Sequence, residues 1–268
     1  MTSAAVRRSS YFGHIWRLRY FWSSLVCNDI VSRYRRSFLG LGWSLLRPIS
    51  MTIVFCFVFG GLFNQPTAEY APYLMLGVAV WQFISESMLV GCNCFVSSVA
   101  YIRQQRVPLA LFSLRTVLGS GFHFLIALLL AIGLALYFKG LPNPVATLAV
   151  IPSLLLIFVY VWAAATVLGL IQAHFPDTSQ LLEIGMQILF YLTPIVYKTS
   201  SFPDRRNFLF VLEWNPFYSL LELVRTPILD GAFPSAKNVG VSVVFTTATV
   251  LLAWMLLRKM ERRLVFWL

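Results

Sequence analysis

The sequence predicts an all-α membrane protein: six transmembrane helices, an N-terminal amphipathic interfacial helix, and an extracytoplasmic re-entrant hairpin between spans five and six. Three observations predict it. The 268 residues are 59% hydrophobic and only 12% charged, whereas soluble domains run about 45–50% apolar and about 25% charged. Apolar runs close to the roughly 20 residues that a spanning helix needs recur along the chain. Near residue 40, an Arg-rich, aromatic-studded segment gives way to those runs. The switch divides the chain into a cytoplasmic N-terminal segment, 1–44, and a six-helix transmembrane domain, 45–268.

The elements follow in order. From Tyr11 to about Val31, Ile15, Trp16, Leu18, Phe21, Trp22, Leu25, Val26 and Ile30 recur at helical spacing, interrupted by Arg17, Arg19 and Asn28. Such a segment is too charged to span and belongs in the interface; packing against a soluble partner is the other reading. Span one covers about Leu45 to Phe63, with Pro48 suited to its first turn. Span two covers about Pro72 to Val96. A polar, basic break precedes span three, about Val117 to Phe138. A tight loop at Lys139 to Pro144 leads to span four, about Val145 to Ile171. Asp177 with Gln180 reads as a capping box for span five, about Thr178 to Tyr197. Between Lys198 and Lys237, Phe208 to Leu212 and Phe217 to Leu229 are apolar but too short to cross, which suits a re-entrant hairpin. Span six covers about Val239 to Leu257.

Charge sets the orientation. The net charge of +11 would suit nucleic acid, but its placement argues for a membrane. Arg7, Arg8, Arg17, Arg19, Arg33, Arg35, Arg36 and Arg47 precede or open span one, Arg103, Arg106 and Arg115 lie around the next loop on that side, and Arg258, Lys259, Arg262 and Arg263 close the chain. The opposite loops hold Lys139, Lys198, Arg205, Arg206, Arg225 and Lys237. The asymmetry places both termini in the cytoplasm of a multi-pass protein of the cytoplasmic membrane. Cys27, Cys56, Cys92 and Cys94 lack the spacing of a redox or zinc motif and read as packed free thiols. A cleavable signal peptide is not expected from the first residues.

The chain predicts no catalytic centre. Gly40-Leu-Gly42 lacks the lysine of a phosphate-binding loop. His14, His123 and His174 stand apart, without ligand-spaced partners, so no metal site is expected. His174 and Asp177 read as a loop and cap. Of the ionisable residues within spans, Glu183 suits a helix N-terminus, His123 is solitary, and Glu86 is the functional suspect. So little intramembrane charge counts against ion coupling. Phe190, Tyr191 and Tyr197 near the end of span five adjoin Trp214, Phe217 and Tyr218 in sequence-predicted space. They read either as a sugar-stacking channel lining or as an interfacial girdle.

Four stretches carry a resemblance. They are Arg33-Tyr-Arg-Arg-Ser-Phe-Leu-Gly-Leu-Gly-Trp-Ser-Leu-Leu-Arg-Pro48 before span one, Ile102-Arg-Gln-Gln-Arg-Val-Pro-Leu109 between spans two and three, Leu192-Thr-Pro-Ile-Val-Tyr197 ending span five, and Asn215-Pro-Phe217. In their order and placement the chain resembles ABC-2 type permeases that export polysaccharides, a group including O-antigen, capsule and teichoic acid exporters, and it looks closest to the O-antigen type. Arg47 departs from the Asn or Glu often found before that proline. The resemblance implies a homodimer bound to two copies of a separate ABC ATPase, which would hold ATP and Mg while this chain binds no cofactor directly. It implies that Ile102, Arg103, Gln104, Gln105, Arg106, Val107 and Pro108 form a coupling helix for that ATPase, that spans one and five line the channel, and that 202–230 holds the re-entrant helices. Arg33, Arg35 and Arg36 would then meet the diphosphate of an undecaprenyl-linked glycan, since Arg pairs phosphate in fork geometry; ordinary inside-positive anchoring explains the same arginines. A six-helix secondary transporter and a glycolipid-modifying enzyme are the rival classes.

Overall fold

The structure, a computed structural model, describes residues 11–35, 37–62, 65–104, 107–140, 142–198 and 214–260. The regular structure of the described residues is all helical, without strands. In chain order the helices are α1 (Tyr11–Arg17), α2 (Arg19–Tyr34), α3 (Gly42–Leu62), α4 (Thr67–Cys92), α5 (Val99–Gln104), α6 (Ala110–Lys139), α7 (Pro144–Thr147), α8 (Val150–Gln172), α9 (Thr178–Leu192), α10 (Pro216–Arg225) and α11 (Ala236–Met260). Five segments are long and apolar enough to cross a membrane: Gly42–Gly61, Thr67–Cys92, Ala110–Lys139, Pro144–Gln172 and Ala236–Met260. The sixth expected span, α9, has 15 helical residues, about 22 Å of rise against a core of about 30 Å. Its helix stops at Leu192, short of the expected end at Tyr197.

The bundle is built around α4. It packs against α6, α8 and α3, while α11 packs against α8. Accordingly, 72% of the apolar window of α4 is buried, against 11% of that of α3. Close approach is made possible by small residues, as is usual between membrane helices. Gly91 of α4 lies against Ala165 of α8, where an added Cβ would collide with the alanine side chain. Ser113 and Thr166 join α6 to α8 through a hydroxyl pair at 2.6 Å, and Trp162 donates its indole N–H to the Ala110 carbonyl at 3.0 Å.

Several boundaries differ from the sequence expectation for local reasons. The amphipathic segment breaks at Leu18 into α1 and α2. Of its apolar set, Ile15 and Leu25 are buried, while Trp16 is 66% exposed beside Arg19. The helix also docks by charge: Asp29 accepts from Arg115 of α6 through both oxygens, at 2.6 and 2.5 Å. Helix α3 begins at Gly42, so Pro48 sits in the second turn instead of the first. Likewise α4 begins at Thr67, ahead of Pro72. Span four is interrupted after Thr147, between α7 and α8.

The expected capping box at Asp177 is replaced by a cap from a neighbouring helix. Asp177 occupies the N-cap position but makes no side-chain cap bond. Gln172, at the end of α8, instead accepts from the Ser179 amide at 2.8 Å and donates to the Pro176 carbonyl at 2.9 Å. One amide side chain thereby turns the chain from α8 into α9. Gln172→Leu should cost about 1 kcal/mol, the usual scale of a lost cap. It should also speed hydrogen exchange at the first amides of α9; unchanged exchange there would return the cap to Asp177.

Asn-Pro pairs start two helices by one device. Asn143 accepts from the Val145 amide at 3.0 Å with Pro144 in the first turn. Asn215 accepts from the Phe217 amide at 2.9 Å with Pro216 in the same place. The Asn caps a free N–H, and the Pro lacks one where none is needed. Helix α10, begun this way, is too short to cross and packs against α4, α8 and α11. A π turn, Thr226–Asp230, follows and ends at Gly231, whose φ of 61° lies in the left-handed region. The first arm of the expected hairpin falls outside the described residues.

Candidate functional site

Four helix faces enclose a cleft of about 1070 Å³. Each face repeats at helical spacing: Ser44, Arg47, Met51 and Phe55 on α3; Val78, Trp81, Gln82, Ser85, Glu86 and Leu89 on α4; Ser120, His123, Phe124 and Ala127 on α6; Glu183, Met186, Gln187, Phe190 and Tyr191 on α9. The end of α2 adds Arg33 and Tyr34. The opposite side of α9, with Leu181, Ile184 and Ile188, is exposed and apolar.

The cleft is polar and charged at one end. Arg33 meets Glu86 at 3.1 Å, with side chains 49% and 34% exposed, and Arg47 is exposed along the same lining. The sequence's main intramembrane suspect is therefore a partner to an arginine from α2. Beside it, Ser44 and Tyr34 hydroxyls lie 2.6 Å apart and reach His123 Nδ1 at 2.9 and 3.1 Å. This knot ties α2, α3 and α6 together at the mouth. The far end of the cleft is aromatic. Phe190 packs edge-on to Trp81 at 6.0 Å and to Tyr191 at 5.3 Å, and lies 6.0 Å from Phe55. Charge followed by aromatic surface suits a ligand with an anionic head and a body of C–H faces and hydroxyls.

The six expected channel aromatics do not gather in one place. Phe190 and Tyr191 line the cleft. Phe217 is buried in the core against Trp81, Tyr160 and Phe245. Tyr197 donates to the Tyr191 carbonyl at 3.2 Å. Tyr218 lines a second, smaller pocket, and Trp214 is exposed beside Lys237. Of the expected phosphate-facing arginines, Arg33 lines the cleft and Arg35 is exposed at the end of α2; Arg36 lies outside the described residues. In the expected coupling segment, Ile102 is buried and anchors α5, Arg103 and Gln104 are exposed, Val107 is half-buried and Pro108 is buried. Gln105 and Arg106 lie outside the described residues.

Sequence reading missed the residue that organises the far side. Arg225 is 2% exposed. Its guanidinium donates to the Pro194 and Ile195 carbonyls at 2.8 and 2.9 Å and stacks 3.8 Å from the Tyr73 ring centre. Gly77 leaves the space it fills, since a Cβ there would strike the guanidinium. Tyr70 donates to the Val196 carbonyl at 2.5 Å, and the Tyr73 hydroxyl lies 3.0 and 2.9 Å from the Pro194 and Tyr197 carbonyls. Asn215 donates to the Thr193 hydroxyl at 3.1 Å. The non-helical stretch after α9 thus has its carbonyls met by side chains, the condition for irregular backbone at membrane depth. Burial pushes the Glu222 carboxyl above its ordinary range, while the neighbouring Arg225 pulls it back.

Comparison with known proteins agrees with this architecture. The chain is 22% identical over 240 residues to the O-antigen export system permease protein RfbA of Klebsiella pneumoniae, covering 88% of this chain and 90% of the relative. It is 23% identical over 241 residues to the protein of the same name from Myxococcus xanthus, covering 90% and 91%. It is 19% identical over 246 residues to the polysialic acid transport protein KpsM of Escherichia coli, covering 90% and 94%. The family model described as ABC-2 type transporter matches residues 20–229, a stretch that takes in α2, the four helix faces of the cleft and the Arg225-held turn. With most of the chain inside that match, this multi-pass membrane protein belongs to the ABC-2 type transporter family.

Proposed function

We propose that the chain is the permease subunit of an ATP-driven exporter carrying a lipid-linked polysaccharide, of O-antigen type, across the cytoplasmic membrane. The observation that carries this reading is the cleft itself. Its mouth offers Arg33 and Arg47 to an anionic head, and its other end offers Trp81, Phe190 and Tyr191 to sugar faces. The names of the relatives support it, and the polysialic acid relative makes a capsular glycan the second cargo class. In this reading α9 and the turn from Thr193 to Tyr197 complete a sixth crossing, α10 is one arm of the re-entrant hairpin, and both termini are cytoplasmic. Two copies of the chain would pair, with the exposed faces of α3 and α9 toward the partner, and α5 would seat in a separate ATPase.

The reading is tested by deletion and by purification. Cells lacking the chain should lose a surface polysaccharide and retain its lipid-linked precursor, and the chain isolated in mild detergent should carry a stoichiometric ATPase. Isolation without any ATPase, from membranes that hold one, would favour an ion-driven transporter instead. Arg103→Glu should weaken ATPase association with the fold intact, because an exposed charge reversal acts mainly at its contact; unchanged co-purification would remove α5 from that interface. Tyr191→Ala with Tyr197→Ala should slow export several-fold with ATPase binding unaltered. Normal surface glycan in that double variant would make both tyrosines girdle residues.

A further inference from the structure

A second pocket, of about 240 Å³, lies on the other side of the Arg225-held turn. It is lined by three carboxylates, Glu69, Glu222 and Asp230, and by three cations, Lys139, Lys198 and Arg225. These groups face one another without closing. Lys198 stands 3.6 Å from Glu69, Lys139 stands 4.0 Å from Asp230, and Arg225 stands 3.8 Å from Glu222. Charge-assisted hydrogen bonds are about 2.7–2.9 Å long, so all three pairs are loose. Lys198 gives one N–H to the Gln65 side chain, Lys139 one to the Leu229 carbonyl, and Glu222 accepts from Thr226, which leaves further ammonium hydrogens and the oxygens of Glu69 and Asp230 for another molecule. Arg225 is almost wholly buried, and its guanidinium reaches the pocket wall while donating to the Pro194 and Ile195 carbonyls.

The donor set defines what would fit. An anion would meet three carboxylates, and a cation would meet two ammoniums and a guanidinium. A neutral polyol meets both kinds at once, because each hydroxyl donates to a carboxylate and accepts from an N–H. The volume equals that of about eight waters at roughly 30 Å³ each, room for one sugar ring and too little for an extended chain. The pocket is anchored on the turn after α9 through Arg225, so an occupant would touch the element that ends the aromatic side of the cleft. We infer that this pocket is an extracytoplasmic saccharide subsite, holding one neutral sugar unit of the departing glycan. The inference rests on the export reading above.

The test uses the full chain with its native partners in right-side-out spheroplasts. Asp230→Cys places a thiol on the rim, and Phe233→Cys, at a residue 63% exposed and outside the pocket lining, is the control. Each is labelled with a membrane-impermeant maleimide, with the lipid-linked glycan supplied or with its first sugar-transfer step deleted. The Asp230→Cys label should form several-fold more slowly when glycan is supplied, while the Phe233→Cys rate stays constant. If Asp230→Cys abolishes export, Glu69→Cys, another exposed carboxylate of the rim, takes its place. Equal rates with and without glycan, in a strain whose surface glycan depends on the chain, would overturn the subsite alone. Surface glycan that persists after deletion of the chain would overturn the export reading and the subsite with it. As a second measurement, Lys198→Met, which leaves the Arg225–Glu222 pair in place, should slow glycan appearance several-fold at an unchanged protein level; export at the parent rate would also overturn the subsite.

Discussion

Arg225→Met should be the most destabilising single substitution in the described part of the molecule. Methionine keeps much of the length and apolar contact of the stem but donates nothing. The Ile195 carbonyl would lose its donor and the Pro194 carbonyl would keep only the Tyr73 hydroxyl, at about 1–3 kcal/mol for a group left unsatisfied. Glu222 would also lose the cation 3.8 Å from it, which adds to the cost. The expected result is a markedly lower Tm in detergent and poor accumulation in the membrane. Arg225→Lys should fall between the parent and the Met variant, since one ammonium cannot reproduce a planar fork spanning two carbonyls. Tyr70→Phe removes only one donor, to Val196, and should cost about 1 kcal/mol. A Met variant that melts with the parent would show that the turn after α9 does not depend on this guanidinium.

The same residue shows where sequence reading stopped. The apolar runs located five crossings because their signal is local: length and hydropathy lie in consecutive residues. The Asn215-Pro216 start was equally local, although its capping role became plain only with Phe217 accounted for. Span five was harder. Its helix ends at Leu192 because the next five residues are held by Tyr70, Tyr73, Arg225 and Asn215, and nothing within the stretch itself reports partners 22 to 126 residues away. Arg225 was counted among the outer loop charges because sequence gives charge without burial. A basic residue in the apolar stretch from Phe217 to Leu229 was the available signal. Gln172 likewise displaced Asp177 as the cap of α9 through tertiary placement, not propensity.

The cleft was partly legible for a related reason. A helix face is written into sequence as a period, so Phe190 and Tyr191 could be grouped, and with them Glu183 and Gln187 in hindsight. Which faces meet depends on the crossing of helices. Glu86 was singled out as the functional suspect among the intramembrane charges, but its partner, on α2, lies 53 positions earlier. Arg47 was read as an orienting charge and as a departure from the resemblance; the structure puts it on the cleft wall. The arginine-rich junction thus furnishes two side chains to the cleft, beside the orienting job expected of its charge.

Reversing the mouth charges separates those jobs. The Arg33–Glu86 pair is partly exposed, so it contributes no more than about 1 kcal/mol to stability. The cleft lining sets Arg33 and Arg47 against Glu86 and Glu183, a balanced set; Arg33→Glu makes it net negative and sets two carboxylates face to face. We expect that variant to fold, to bind its ATPase, and to export at least about tenfold less glycan, equivalent to roughly 1.4 kcal/mol of lost head-group binding. Glu86→Arg alone should do less harm, since it adds positive charge while freeing Arg33. The double exchange, Arg33→Glu with Glu86→Arg, restores both the pair and the net charge but moves the guanidinium from α2 to α4. If the arginine must meet an anionic head from the end of α2, next to Arg35, the exchange should recover stability and leave export low. Export recovered to the parent level would make Arg33 a structural brace between α2 and α4, with the field of the mouth, and not the position of its fork, serving the cargo.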